Sequence, residues 1–344
     1  MPELRQNLAT GEWVIIADQR AKRPEEFRRP PNPRTAEVPD YTPTCPFCPG
    51  HEHQSEGLSQ FPPEGPWLTR VVRNKFPALE PEGGPRVHRV HGVQRQMSGV
   101  GHHEVVIESP VHNQWPALQT TAQIQRVLQA FQDRGLALRH DGRVEQFVFF
   151  KNHGATAGTS LVHPHAQLIA LPVVPTSHEQ RIDSAWRYYD QHGECVHCRM
   201  LREELADGSR IVCENEHFVS FIPFAAFSPF HMWILPRQHR ADFLQAPPEE
   251  VAALADVLRR AMRKLYFGLG DPDFNYVLHS APVRRRAAGF LHWYLSLIPR
   301  VTQAAGFELG SGMYINTAVP EASARFLRGI EDPEGRPLGC HLPD

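Results

Sequence analysis

Nothing in this chain approaches a membrane span. Its apolar runs fall short of the roughly eighteen residues that a bilayer core demands, and the opening Met1-Pro2-Glu3-Leu4-Arg5-Gln6 has no apolar leader core. Charge of one sign is also missing. The chain carries 36 Lys and Arg against 38 Asp and Glu, a formal net charge of −2. That balance gives no electrostatic support for coating a nucleic acid or lying on an anionic membrane. Cysteine is sparse, six in 344 residues, too few for a disulfide scaffold. These absences predict a cytoplasmic protein with no nucleic-acid and no membrane partner.

The few cysteines are not scattered. Four fall into two C-x-x-C pairs, Cys45/Cys48 and Cys195/Cys198, while Cys213 and Cys340 stand alone. In an intracellular protein of this size such pairs read as metal sites before disulfides. The hydrophobic share of 41% and charged share of 22% are ordinary globular values. Histidine is abundant, with 20 in the chain.

Two of those histidines define the stretch around which the chain is organised. Asn152-His153-Gly154-Ala155-Thr156-Ala157-Gly158-Thr159-Ser160 is a small, Gly-rich segment. It leads through His163-Pro164-His165-Ala166-Gln167 into the apolar run Leu168-Ile169-Ala170-Leu171-Pro172. Residues i and i+2 share a face of a strand, so His163, His165 and Gln167 point the same way, behind a loop whose N–H groups suit an anion. A lone histidine is more often a satisfied core residue. H-x-H-x-Q after a Gly/Ser loop favours one imidazole on a metal and its neighbour attacking phosphorus. Near the start, Arg20-Ala21-Lys22-Arg23 reads equally well as a phosphate clamp or a solvated basic turn.

Periodicity predicts helices over about 120–139, 179–190, 247–269 and 321–330. It predicts strands over 11–17, 67–73, 103–108, 146–150, 168–172, 218–224, 231–236, 275–279 and 291–299, with residues 80–96 as loop. These elements repeat. Each half runs C-x-x-C, strand, strand ending in Pro then His, long helix, strand, and a His-bearing strand ended by Pro. The histidine spacings agree, 163 − 112 = 51 and 292 − 239 = 53, as a duplication would leave them. Each half supplies Cys₂His₂: Cys45, Cys48, His112, His163, and Cys195, Cys198, His239, His292. That donor set closes a tetrahedral zinc with no open position, so both zincs are expected to be structural. In the alignment His165 meets Tyr294 and Gln167 meets Ser296. Only the first half keeps an imidazole beside its metal strand.

The HPHAQ triplet, the CPFCPG knuckle, RAKRP, NKFPAL and the tail Gly306-Phe307-Glu308-Leu309-Gly310-Ser311-Gly312-Met313-Tyr314-Ile315-Asn316 together resemble the galactose-1-phosphate uridylyltransferase family of the histidine-triad superfamily, over about residues 5–330. The resemblance implies an α+β fold of two fused histidine-triad-like half-barrels, mainly antiparallel sheet with helices, divided as 1–175 and 176–344, and usually a homodimer. It implies ping-pong transfer of a nucleoside monophosphate between a nucleotide-sugar and a hexose 1-phosphate. His165 would be the nucleophile, with Ser160, Gln167 and Asn152 on the phosphoryl group. Arg20 and Arg23 would meet substrate phosphates, and Asn74 and Phe76 the nucleoside. Gly158 and Thr159 would lie against substrate, and Glu308 would face sugar hydroxyls. Thr159 stands where well-known members have Cys. The second C-x-x-C resembles a sister branch that acts on ADP-glucose, but the HPH triplet and the general motif set favour UDP-glucose with galactose 1-phosphate, and ADP-glucose with phosphate is the alternative. A histidine-triad hydrolase remains a further alternative. Glu179 and His279 are candidates for a different second metal site.

Overall fold

In the computed structural model the described residues are 1–17, 23–28, 37–83 and 88–331. Arg20 and Cys340 lie outside them. The fold is a mixed α+β fold, and its ten-stranded sheet has the order β10-β11-β12-β14-β13-β8-β9-β7-β4-β3. The five strands from the first half are β3 (Gly57–Phe61), β4 (Thr69–Arg73), β7 (His102–Ile107), β8 (Gln146–His153) and β9 (His165–Leu171). The second half gives β10 (Ile211–Glu214), β11 (Phe218–Phe221), β12 (Met232–Pro236), β13 (Phe274–His279) and β14 (Tyr294–Pro299). All adjacent pairs are antiparallel. The order is palindromic, so the duplication read from histidine spacing is a two-fold in space. Its centre is the β8–β13 seam, where Phe150 lies opposite Val277. Register fixes the correspondences. β9 begins at His165 and β14 at Tyr294. His279 pairs with Tyr294, and the β8–β9 register, which sets Phe150 opposite Gln167, brings Asn152 toward His165 when continued by two residues.

One face of the sheet is covered by α1 (Thr121–Leu138) and the long α4 (Pro248–Leu269). The first is started by a capping box: Thr120 Oγ1 accepts from the Gln123 N–H and Gln123 Oε1 from the Thr120 N–H. Apolar side chains at helical spacing, Val127, Leu128 and Phe131 from α1 and Leu254, Leu258 and Met262 from α4, bury against Phe147, Phe149, Leu168 and Leu295. This core fixes strand register, because a slip of one residue would turn every apolar side chain to the other face. The other face carries the functional side chains. Over its second half lies α2 (Thr176–His192), whose Ile182 and Ala185 pack near Tyr294.

Most predicted elements appear within a few residues of their expected ends. One predicted loop differs in kind, and several elements, β3 and β10 among them, go beyond those predicted. Residues 80–96 are not all loop, since they include part of a hairpin of β5 (His88–His91) and β6 (Gln94–Met97). Neither short strand has the apolar alternation that marks a half-buried one. Cys195 stands at the N-cap position of α3 (Val196–Asp207), a helix that begins inside the C-x-x-C pair and is not predicted from periodicity. A small sheet joins β1 (Glu3–Gln6), β2 (Trp13–Ile16) and β15 (Tyr314–Asn316), tying the two ends of the chain together. Among the described residues no helix is long and apolar enough to cross a membrane.

Candidate active site and metal-ligand clusters

The two ligand sets predicted from spacing each converge. Cys45, Cys48, His112 and His163 present ligand atoms that all lie within 4.8 Å of one another, as do Cys195, Cys198, His239 and His292. In the first set Nδ1 of His163 is 3.6 Å from Cys45 Sγ and 3.7 Å from Cys48 Sγ, and Nδ1 of His112 is 3.5 Å from Cys48 Sγ. A tetrahedral ion with bonds of about 2.3 Å to sulfur and 2.05 Å to nitrogen has an S···N edge of about 3.6 Å. The second set gives 3.2 Å and 3.5 Å from Cys198 Sγ to His239 and His292. His163 donates its Nε2–H to the Ser109 carbonyl at 2.7 Å, which leaves Nδ1 unprotonated toward the cysteines. Burial holds its pKa down at about 4, so the imidazole stays neutral as a ligand must. Both donor sets therefore fit a metal ion.

His165 sits next to this cluster but outside it. Its Nδ1–H donates to the His163 carbonyl at 2.9 Å. In the neutral ring the Nε2 lone pair is then free, which is the requirement for a nucleophile. Burial lowers its pKa, and the nearby Lys151 ammonium lowers it further. Phe47, from the C-x-x-C knuckle, packs against both His163 and His165 at 6.0 Å and 5.5 Å between ring centres.

A cavity of about 290 Å³ opens beside His165, walled by Asn152, His153, Thr159, Ser160 and Trp115 among others. Its loop is held from the second half. Gly154 has φ +86°, and a Cβ there would lie 1.9 Å from the Asp273 carboxylate. That carboxylate accepts from the Thr156 N–H at 2.7 Å and its hydroxyl at 2.6 Å. Asn275 Nδ2 donates to Asn152 Oδ1 at 2.8 Å and to the Ala157 carbonyl at 2.9 Å. The N–H groups of Gly158 and Thr159 turn back to Ala155 and Gly154 carbonyls. They close the loop instead of facing an anion, a correction to the expectation of a Gly-lined anion cradle. Ser160 is exposed at the cavity edge, and the Thr159 hydroxyl bonds the Leu161 carbonyl.

Gln167 follows on the same face, and a residue the sequence reading missed holds it. His103 accepts the Ala78 N–H on Nδ1, so its Nε2–H donates to Gln167 Oε1 at 2.9 Å. Asn74 lies against the same imidazole and takes the Phe76 N–H on Oδ1, while the Phe76 ring is exposed. Arg23 is exposed ahead of a short 3₁₀ turn, and Glu308 caps its own helix by accepting from the Ala305 N–H. Neither lines the 290 Å³ cavity. Glu179 is exposed, and neither it nor His279 belongs to a metal-competent group among the described residues.

Lys151 and Glu108 were also missed. They lie under the sheet, 2% exposed each, with Nζ 2.7 Å from Glu108 Oε1. Nζ also donates to the His165 carbonyl at 3.1 Å. A lysine directly after the apolar run Phe147-Val148-Phe149-Phe150 was the available signal.

Family models match nearly the whole chain: the N-terminal domain of galactose-1-phosphate uridyl transferase over residues 1–175, and its C-terminal domain over 181–327. The chain belongs to the galactose-1-phosphate uridylyltransferase family. An ADP-glucose phosphorylase of Arabidopsis thaliana is 34% identical over 338 residues, covering 96% of this chain and 93% of that one. A galactose-1-phosphate uridylyltransferase of Thermotoga maritima is 31% identical over 340 residues, covering 96% and 99%. The crystal structure of the Arabidopsis ADP-glucose phosphorylase with bound ADP-glucose superposes with a TM-score of 0.81 at 31% identity, covering 96% and 99%. A uridylyltransferase structure gives 0.72 at 27%, covering 95% and 97%. These homologues are transferase-type enzymes.

Proposed function

We propose that the chain is a nucleotidyltransferase that moves a nucleoside monophosphate from a nucleotide-sugar to a phosphorylated acceptor through a covalent nucleotidyl-His165. One observation carries the reading: a buried imidazole with Nδ1–H committed to a backbone carbonyl and Nε2 free, at the wall of a cavity large enough for a nucleotide's phosphates. Nε2 attacks the α-phosphorus, a P–N bond forms, the P–O bond to the sugar phosphate breaks, and the sugar 1-phosphate leaves. The acceptor's phosphate oxygen then attacks the same phosphorus and releases His165. Phosphoryl chemistry needs positioning and charge neutralisation more than covalent machinery. Gln167, Asn152 and Ser160 are the groups we assign to the phosphoryl oxygens. Arg20, Arg23, Asn74, Phe76, Gly158, Thr159 and Glu308 are proposed substrate contacts. The two Cys₂His₂ clusters are proposed zinc sites. Bound zinc would supply rigidity, because each donor set leaves no open position.

The higher identity and closer superposition with the ADP-glucose phosphorylase put ADP-glucose first as donor, with inorganic phosphate as acceptor. UDP-glucose with galactose 1-phosphate is the second reading, favoured by the Thermotoga relative. A panel tests both: each nucleotide-sugar is mixed with enzyme and either phosphate or a hexose 1-phosphate, and nucleotide products are counted. ADP formation from ADP-glucose and phosphate at the highest kcat/KM is the expected result. Preference for UDP-glucose and galactose 1-phosphate reverses the order, and release of free monophosphate by water with every donor identifies a hydrolase instead.

A further inference from the structure

The degenerate half of the duplication has its own cavity, of about 50 Å³, between the sheet and α2. A water needs about 10–15 Å³ measured this way, so the space suits about four waters or one tetrahedral oxyanion. Tyr294 occupies the position of His165 here, and His279 that of Asn152. His279 stacks on Tyr294 with ring centres 4.6 Å apart. Arg181 reaches in from α2, with Nη1 donating to His279 Nδ1 at 2.8 Å and to the Tyr294 hydroxyl at 3.3 Å. Because Tyr294 accepts from Arg181, its own proton is free to donate.

The sign of the site is what distinguishes it. Its wall holds a guanidinium and no carboxylate, and among the described residues Arg181 makes no ion pair. Burial and Arg181 push His279 well below its usual pKa, and burial holds His178 near about 4, so these imidazoles stay neutral. The guanidinium beside His279 repels a metal cation from the place where a second catalytic half would act. Two further polar atoms are left unpaired on the wall. His197 and His292 are each 5% exposed, and His197 Nδ1 and His292 Nε2 have no hydrogen-bond partner. In the first half the equivalent of His292 Nε2, on His163, meets the Ser109 carbonyl. Here the acceptor is missing and a cavity takes its place. A buried donor without an acceptor costs about 1–3 kcal/mol, and an anion beside Arg181 would satisfy several at once.

We propose that this cavity binds a small tetrahedral oxyanion of the phosphate class, held by Arg181, the Tyr294 hydroxyl and the free Nε2–H of His292, whose Nδ1 faces Cys198. The site is separate from the cavity at His165 and does not depend on which nucleotide is transferred there. Its occupant would pin α2 to β14, the contact that closes the second half.

The test uses the full chain with inorganic phosphate as probe, in crystals soaked at saturating phosphate and in a phosphate titration of thermal stability. Tetrahedral density in contact with Arg181 is expected in the wild type. Arg181→Met should lose that density and weaken the phosphate-dependent stabilisation about ten-fold or more, while nucleotidyl adduct forms on His165 at the wild-type rate. Arg181→Lys keeps the charge and should retain weaker binding, which covers the case in which the Met variant fails to fold. Ordered water alone in the wild-type cavity at saturating phosphate overturns the proposal. So does an Arg181→Met protein with unchanged density there.

Discussion

Replacing Lys151 by Met should destabilise the protein by about 3–5 kcal/mol, because it strands the Glu108 carboxylate among apolar side chains without its cation. Both partners are 2% exposed and 2.7 Å apart. Glu108 Oε2 keeps only the Gln119 amide, at 2.9 Å. An unfolding entropy of about 2.1 cal/mol/K per residue over 344 residues gives about 0.7 kcal/mol/K. The expected fall in Tm is therefore about 4–7 °C by calorimetry. The double variant Lys151→Met/Glu108→Leu removes both charges, and it should recover most of that loss, since well-packed apolar replacements of buried ion pairs are often neutral. A single variant within about 1 °C of wild type, or a double variant worse than the single, would refute the argument that the pair is held by mutual need.

Elemental analysis should find two zincs per chain, and Cys45→Ser should lower zinc content to one and destabilise the first half; a wild type with one zinc or none defeats the duplication argument. Tyr294→Phe should leave turnover within about an order of magnitude, since a phenol of pKa about 10 is a poor nucleophile at neutral pH; a loss as large as that of a His165 substitution contradicts it. His231 is fully buried with Nε2 on Ser296 Oγ at 2.6 Å, and burial lowers its pKa to about 3. Its neutral form is the folded one, so its contribution is present above pH 6.5 and falls away as pH drops toward 3. Between pH 6.5 and 5 that loss is about 1.5–2 kcal/mol, and His231→Gln should flatten the acid limb of a denaturant-monitored stability curve; an unchanged slope rejects the assignment.

The duplication, both ligand sets and the shared face of His165 and Gln167 were legible in the sequence, because each is a matter of spacing; His163, expected on that face too, stands in the bend before β9 and turns to the cysteines. Period 2 along β9 fixes the face, and matched histidine separations fix the repeat. What was not legible depends on contacts between segments far apart in the chain. Asp273 and Asn275 hold the loop at residues 154–157 from across the two-fold, and no local pattern announces them. His103 stood in a stretch read as a strand, yet only the fold brings it to Gln167. Glycine content suggested an anion cradle, but the backbone uses those N–H groups to close its own turn. Arg181 lies on a predicted helix, and its meeting with His279 needed the packing of α2 on the second half.

The central claim is that His165 carries the nucleotide. Wild-type enzyme mixed with nucleotide-sugar alone and quenched within milliseconds should show a mass increase of one nucleoside monophosphate, mapped by peptide to His165, acid-labile as a phosphoramidate is, and discharged on adding the acceptor. His165→Gly should form no adduct, with added imidazole restoring some turnover. An adduct on any other residue, or initial-rate plots that intersect where ping-pong order requires parallel lines, would contradict the account.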